Sequence, residues 1–508
     1  MVARPWLLHP PLYGLYFVLT LAASNTTDLK GWTDLVWPLS ISLLVCGICW
    51  LAAYAWTRDA HKAALLGVIW FAAFSVFGYV AESLRVARVL WLIGQEPGLG
   101  ALFILALLGP SMALRRARGQ LGPLNRYVTI VGLCLAAFTT AHLYYALRQS
   151  RDPRAALPLP VARGGSTAAH PDIYLLILDK YTGNQVLREH FGFDNGSFEE
   201  FLRSRGFVVP RWSQANYPQT PLALASMLNL DYLQDLPQKL NLYDLIEYNR
   251  LAAFLKREGY RFVFFPTGLR VTFQNRNADL QLPMPREVRG EFAAVWQNTT
   301  ALPELLSSAC AVSGCKAGRF LLTAQVADEM DWKFERMSEL AGESELPTFV
   351  LAHLSLPHEP FLYHADCSHR DLYWPAGAGL PNDAEADRGY LDQIRCTNRK
   401  VESLVDSILA RSKRPPVILL QSDHGHGRIG HLPPHPTLSS YQLRERMSVF
   451  AAYRLPGIPD SMIGDSITPV NALRTVLRQY FGADLPPVED ASYWGLEGNP
   501  LDLVRIRW

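Results

Sequence analysis

A carboxylate, an imidazole and a glycine follow directly on an apolar run in Pro416-Val-Ile-Leu-Leu-Gln-Ser422-Asp423-His424-Gly425. A run of that length reads as a buried strand, and groups at the C-terminal end of a strand lie where open α/β sheets build their sites. Aspartate and histidine are hard and borderline ligands, so the first chemistry to consider is that of a metal ion. Asp172-Ile-Tyr-Leu-Leu-Ile-Leu178 repeats the pattern and ends on Asp179. Taken alone, Asp179 is an ordinary strand-ending turn residue. Paired with Asp423 and His424, it becomes a second carboxylate at the same sheet edge. Thr220, in Asn216-Tyr-Pro-Gln-Thr220-Pro-Leu-Ala, adds a hydroxyl. The Thr-Pro step predicts a helix N-cap followed by the first helical residue. A hydroxyl there faces the positive end of a helix dipole, where phosphoryl or sulfuryl oxygens are stabilised. Threonine is a weak nucleophile at neutral pH, and a divalent cation on its oxygen would lower its pKa and aim it. Asp179, Thr220, Asp423 and His424 can therefore surround one metal ion.

These motifs resemble those of the alkaline phosphatase superfamily, in its sulfatase-like branch. The resemblance implies that Asp179, Thr220, Asp423 and His424 bind the metal and that Thr220 is also the nucleophile. Membrane-anchored members of that branch, the lipoteichoic acid synthases and the lipid A phosphoethanolamine transferases, share the plan of membrane helices followed by one extracytoplasmic catalytic domain. Two departures stand out. Those transferases usually carry glutamate where this chain has Asp179, and the Cys/Ser-x-Pro-x-Arg signature that yields formylglycine in sulfatases is absent around Thr220. Sulfate ester hydrolysis through formylglycine is therefore not expected. The Pro357-His-Glu-Pro360 segment resembles the family's histidine that contacts the substrate phosphate or the leaving oxygen, which favours His358. His353 falls inside the apolar strand and is either a hydrogen-bonded core residue or a further contact. His426, Arg428, His431 and His435 crowd the loop after the motif. They read as a second metal centre, as phosphate ligands led by Arg428, or as a solvated Gly/Pro loop. The Asp-x-x-x-His pair of two-zinc relatives is missing near His358, so one metal is expected, and the ligand set suits manganese, magnesium or zinc.

The elements that must position these residues follow from the apolar pattern. With 49% hydrophobic residues in 508, the long apolar runs concentrate in positions 1–150. Five transmembrane spans are expected at about 11–29, 35–56, 63–84, 94–114 and 127–147. Arg115, Arg116, Arg118 and Arg126 fill one loop and Arg58 and Lys62 another. Positive loops face the cytoplasm, which leaves everything after the last span outside it. Residues 151–170 form a linker rich in proline and small residues. Residues 171–508 form the catalytic domain, with strands expected at 172–178, 261–265, 348–353, 416–421 and 447–452. Helices are expected at 196–205, 221–229, 247–258, 388–411 and 469–481. This alternation predicts an α/β domain of alkaline phosphatase and sulfatase type, a mixed, largely parallel sheet between helix layers.

A net charge of +2 with no basic run gives no footprint for nucleic acid. Cys46, Cys49 and Cys134 fall in predicted spans and read as packing residues, whereas Cys310, Cys315, Cys367 and Cys396 fall in the extracytoplasmic part. Four cysteines in an oxidising compartment allow three connectivities; 310 with 315 and 367 with 396 is the expected one. The resemblance implies a multi-pass protein of a bacterial cytoplasmic membrane whose catalytic domain faces the periplasm. It implies transfer of a phospho-head group, phosphoglycerol or phosphoethanolamine, from a phospholipid donor to a glycan or glycolipid acceptor through a phospho-threonine. A membrane-tethered phosphodiesterase or phosphatase, or another sulfatase-like hydrolase, is the alternative. A non-catalytic scaffold in envelope assembly is the third, disfavoured because a scaffold has no need of the four-residue set.

Overall fold

The computed structural model describes the chain apart from residues 1–6, 27–28, 30–31, 87–106, 118, 150–157, 163–169, 236–240, 268, 283–290, 304, 306–321, 371–382, 428–437, 497–498 and 508. It contains two compact units. One comprises the described residues of Met1–Pro153 and Arg289–Leu322, and the other the remaining described residues.

The first unit is built from α1 (His9–Ser24), α2 (Val36–Thr57), α3 (Ala60–Val86) and α4 (Gly122–Gln149). Three stretches, Trp32–Thr57, Ala60–Ala81 and Gly122–Leu147, are long and apolar enough to cross a membrane. The expected span at 11–29 lands on α1, whose 16 residues rise about 24 Å, short of a bilayer core of about 30 Å. Most of the expected span at 94–114 lies outside the described residues. Cys46, Cys49 and Cys134 are free thiols. The helix Glu291–Thr299 also belongs to this unit, although the sequence assigns it to the catalytic stretch. Its Phe292 and Trp296 are buried in the same apolar cluster as α1, α2 and α3. The Trp296 ring meets Trp37 edge-on at 5.1 Å and its indole N–H donates to the Ser42 hydroxyl at 3.1 Å. Packing with a satisfied indole explains why this segment joins the membrane helices.

The second unit is a sheet with helices on both faces. β1 (Ile173–Leu178), β2 (Arg261–Phe265), β3 (Leu280–Gln281), β4 (Thr348–Leu354), β5 (Val417–Ser422) and β6 (Ala451–Arg454) lie in the order β3-β2-β4-β1-β5-β6. The ladders are parallel except β5 with β6. β1 is buried at every position because its period of two feeds two cores. Ile173, Leu175 and Ile177 point to one face with α5 (Thr220–Asn229). Tyr174, Leu176 and Leu178 point to the other with α6 (Leu322–Leu340) and α7 (Asp383–Arg411). The polar helix α8 (Ser440–Met447) leads into β6, and α9 (Pro469–Phe481) completes the first face. Of the described linker residues, Ala162 bridges to Ala483 and His170 stacks on Phe481, both in this unit. Cys367 and Cys396 are bonded to each other as expected; Cys310 and Cys315 lie outside the described residues.

Candidate active site

Adjacency of β1 and β5 creates the site. Leu178 is paired with Ser422 in the ladder, so the next residues, Asp179 and Asp423, leave neighbouring strands side by side. Both carboxylates are buried. Asp423 Oδ1 accepts the backbone N–H groups of Lys180 (3.2 Å) and His424 (2.8 Å), which fixes the carboxylate and leaves Oδ2 without a hydrogen-bond partner. Oδ1 of Asp179 is likewise unpartnered. His424 Nδ1 is 3.0 Å from the carbonyl oxygen of Gly425; as donor to that oxygen, the ring presents the lone pair of Nε2. That nitrogen lies 3.8 Å from Asp179 Oδ1 and 3.6 Å from Asp423 Oδ2. Separations too long for hydrogen bonds, between two orphaned carboxylate oxygens and an imidazole lone pair, fit three donors that face one cation. Asp179, Asp423 and His424 thus form a group able to hold a metal ion.

The electrostatics agree. Burial would raise both carboxyls, yet the imidazoles of His358 and His353 outweigh it at Asp179 and hold that group well below the usual range. At Asp423, burial and then the neighbouring Asp179 charge push the carboxyl up to about 6. Burial, followed by the Arg446 charge, keeps His424 neutral far below its ordinary value, the state a ligand needs. Two carboxylates that resist joint ionisation call for a cation between them.

Thr220 requires a correction. Gln219, in extended conformation, is the N-cap of α5, and Thr220 is the first helical residue with no side-chain capping bond. A Thr-Pro step satisfies the proline equally well one position later, because Pro tolerates the whole first turn. The hydroxyl is thereby free of the helix and its oxygen lies 3.2 Å from His424 Nε2. All four expected ligands converge.

The other candidates divide. His353 is fully buried on β4, its Nδ1 2.8 Å from the Thr272 hydroxyl and its Nε2 3.3 Å from Asp179 Oδ2. Its place beside Asp179 suits a residue that braces that carboxylate. We expect His353→Ala to weaken metal affinity about ten- to a hundredfold, measured by competition with a fluorescent chelator; unchanged affinity would remove that bracing role. His358 is part-exposed, with Nδ1 2.5 Å from the Glu359 carbonyl oxygen and 3.8 Å from a Glu359 carboxylate oxygen. His426 pairs with Glu445 at 2.9 Å, its ring lies tilted 4.2 Å from that of Tyr390, and burial lowers it to about 4. Arg428, His431 and His435 lie outside the described residues.

Three charged residues at the site escaped the sequence reading. Lys180, next to Asp179, holds both oxygens of Glu359 at 2.7 Å, and Arg446 of α8 reaches to 3.5 Å from His424 Nε2. Only the position of Glu359 in the Pro-His-Glu-Pro segment hinted at any of them.

No protein-family model matches the chain, and no curated protein matches it. Among solved structures it is similar to the zinc complex of the C-terminal periplasmic domain of EptC from Escherichia coli. The two share 14% identity at a TM-score of 0.45, over 69% of this chain and 96% of that one. The integral membrane lipooligosaccharide phosphoethanolamine transferase A from Neisseria meningitidis matches at 11% identity and a TM-score of 0.43, over 94% of this chain and 96% of that one. A protein of the alkaline phosphatase superfamily from Vibrio parahaemolyticus matches at 13% identity and 0.41, over 68% and 78%. The structures matched include phosphoethanolamine transferases and proteins of the alkaline phosphatase superfamily.

Proposed function

We propose that the chain is a metal-dependent phosphotransferase of a bacterial cytoplasmic membrane, which moves a phospho-head group from a phospholipid to an envelope glycan or glycolipid. The observation that carries this reading is the convergence of the Thr220 hydroxyl, two unpartnered carboxylate oxygens and the His424 lone pair within one buried cluster. Helices long enough to cross a membrane in the same chain support a lipid donor. The resemblance of the motifs to the sulfatase-like branch supplies the class of reaction.

Asp179, Asp423 and His424 would hold the cation, with Thr220 beside them. A divalent ion there supplies Lewis acidity, lowering the hydroxyl pKa and offsetting charge on the phosphoryl oxygens. Thr220 Oγ1 forms a bond to phosphorus while the bond to the diacylglycerol oxygen breaks. The hydroxyl proton passes to that leaving oxygen, with His358 at the exposed side of the cluster as carrier. In the second half an acceptor hydroxyl attacks phosphorus, Oγ1 leaves, and the acceptor's proton returns to it. The N-terminus of α5 faces the charge that develops.

The test is incubation of the purified protein with head-group-labelled phospholipid and manganese. Diacylglycerol release with label on a lipid-linked acceptor is the expected result. Label found solely as a free water-soluble head group, with acceptors present, would replace transfer by hydrolysis.

A further inference from the structure

We propose that Arg446 grips the phosphoryl oxygens of the group carried by Thr220, the anion-binding role that the sequence offers to Arg428. The proposal rests on the phosphotransfer reading above. Its first support is position. Arg446 Nη2 lies 3.5 Å from His424 Nε2, the nitrogen that Thr220 Oγ1 approaches to 3.2 Å. Guanidinium and nucleophile therefore flank one atom.

Its second support is aim. Arg446 Nε donates to the carbonyl oxygen of Pro218 at 2.6 Å, two residues before Thr220, so the loop that carries the nucleophile also sets the direction of the fork. With Nε spent on that carbonyl, the outer edge of the guanidinium is left for a ligand. Among the described residues no carboxylate forms an ion pair with it; the adjacent Glu445 is engaged by His426. An arginine stays charged under all ordinary conditions, and its planar fork matches two oxygens of a phosphate.

Its third support is the room made for it. A Cβ on Gly425 would come within 2.4 Å of the carbonyl oxygens of Glu445 and Ser448, and one on Gly427 within 3.1 Å of Arg446 Cδ. Gly425 N–H also donates to the Arg446 carbonyl at 2.7 Å. The strand-end motif Asp-His-Gly-His-Gly thus lies against the end of α8 because its two glycines lack side chains. The close approach delivers Arg446 to the metal ligands of the same motif.

Inorganic phosphate, titrated calorimetrically into the full-length, manganese-loaded protein in detergent, tests this without lipid turnover. Arg446→Ala is expected to weaken phosphate about ten- to a hundredfold, with manganese affinity and thermal midpoint close to wild type. Arg446→Lys keeps the charge without the fork and is expected to fall between the two. Equal phosphate affinity in wild type and Arg446→Ala would overturn the proposal. So would wild type that binds manganese and no phosphate, or loss of manganese together with phosphate in both variants, which would make Arg446 a support of the metal group. If the wild type binds phosphate through Arg446 and yet releases no head group from lipid, the phosphotransfer reading fails and the anion site stands.

Discussion

Thr220→Ala is expected to reduce head-group release from phospholipid by about a thousandfold or more, with the fold and metal affinity nearly unchanged. The separation of effects follows from where the residue sits. Its hydroxyl makes no capping bond, because Gln219 occupies the N-cap, and alanine is the better helix former at the first helical position. Stability therefore has little to lose. The hydroxyl oxygen is directed at His424 Nε2 instead, and removing it takes away the group proposed to carry the covalent intermediate. Thr220→Ser should retain a measurable rate, since it keeps the nucleophile and discards only the methyl group that fixes its rotamer. Initial rates with labelled lipid, read beside intact-mass spectra for a phospho-head-group adduct, check both. An alanine variant that keeps more than a tenth of the wild-type rate, or still forms the adduct, would remove Thr220 as the nucleophile.

Asp179, Asp423 and His424 were legible in the sequence because each follows a parallel strand buried on both faces, whereas Thr220 was marked by the Thr-Pro start of a helix. Such strands are continuous apolar runs, so Ile173–Leu178 and Val417–Ser422 stand out, and the polar residue that ends each run is marked by contrast. A largely parallel sheet puts both residues at one edge, and the ladder between the two strands makes them neighbours. Arg446 had no such mark. It lies in a polar helix with Arg444 one turn-face away, and the spacing of charges does not say which arginine turns inward. That choice is made by the capping box at Ser439 and Gln442 and by the glycine contacts at residues 425 and 427. Thr272 braces His353 from a short 3-10 turn, Arg270–Thr272, whose position depends on the tertiary fold. The helix Glu291–Thr299 illustrates the same limit for the fold. An apolar helical face predicts burial without naming its partner, and here the partner is the membrane-helix cluster.

Asp423→Asn should change the sign of its effect on stability with metal. In chelator, the wild-type sheet unit holds a carboxyl raised to about 6 by burial and by Asp179, against about 3.9 in an unfolded chain. Between those values the folded state binds the extra proton, so stability falls as pH rises from about 4 to about 6 and stays low above. Asparagine keeps an oxygen for the N–H groups of Lys180 and His424 and has no charge to confine. The variant should therefore gain on wild type across that window and be the more stable protein above pH 6. His424 and His426, both lowered, act in the opposite direction over an overlapping range, because a depressed histidine loses stability as pH falls. His426, bonded to Glu445 rather than to Asp423, is common to both proteins, whereas His424 lies 3.6 Å from the altered carboxylate and responds to the substitution itself, so the profiles of both proteins are measured across the whole range. Added manganese reverses the order at pH 7. Wild type gains about 2.7 kcal/mol when the ion is at a hundred times its dissociation constant, while the variant has lost one of three buried ligands. Thermal midpoints of both proteins from pH 4 to 7, in chelator and in manganese, contain the whole comparison. A variant less stable than wild type in chelator at pH 7, or one that shows the same manganese shift, would mean that Asp179 and Asp423 do not share a cation site.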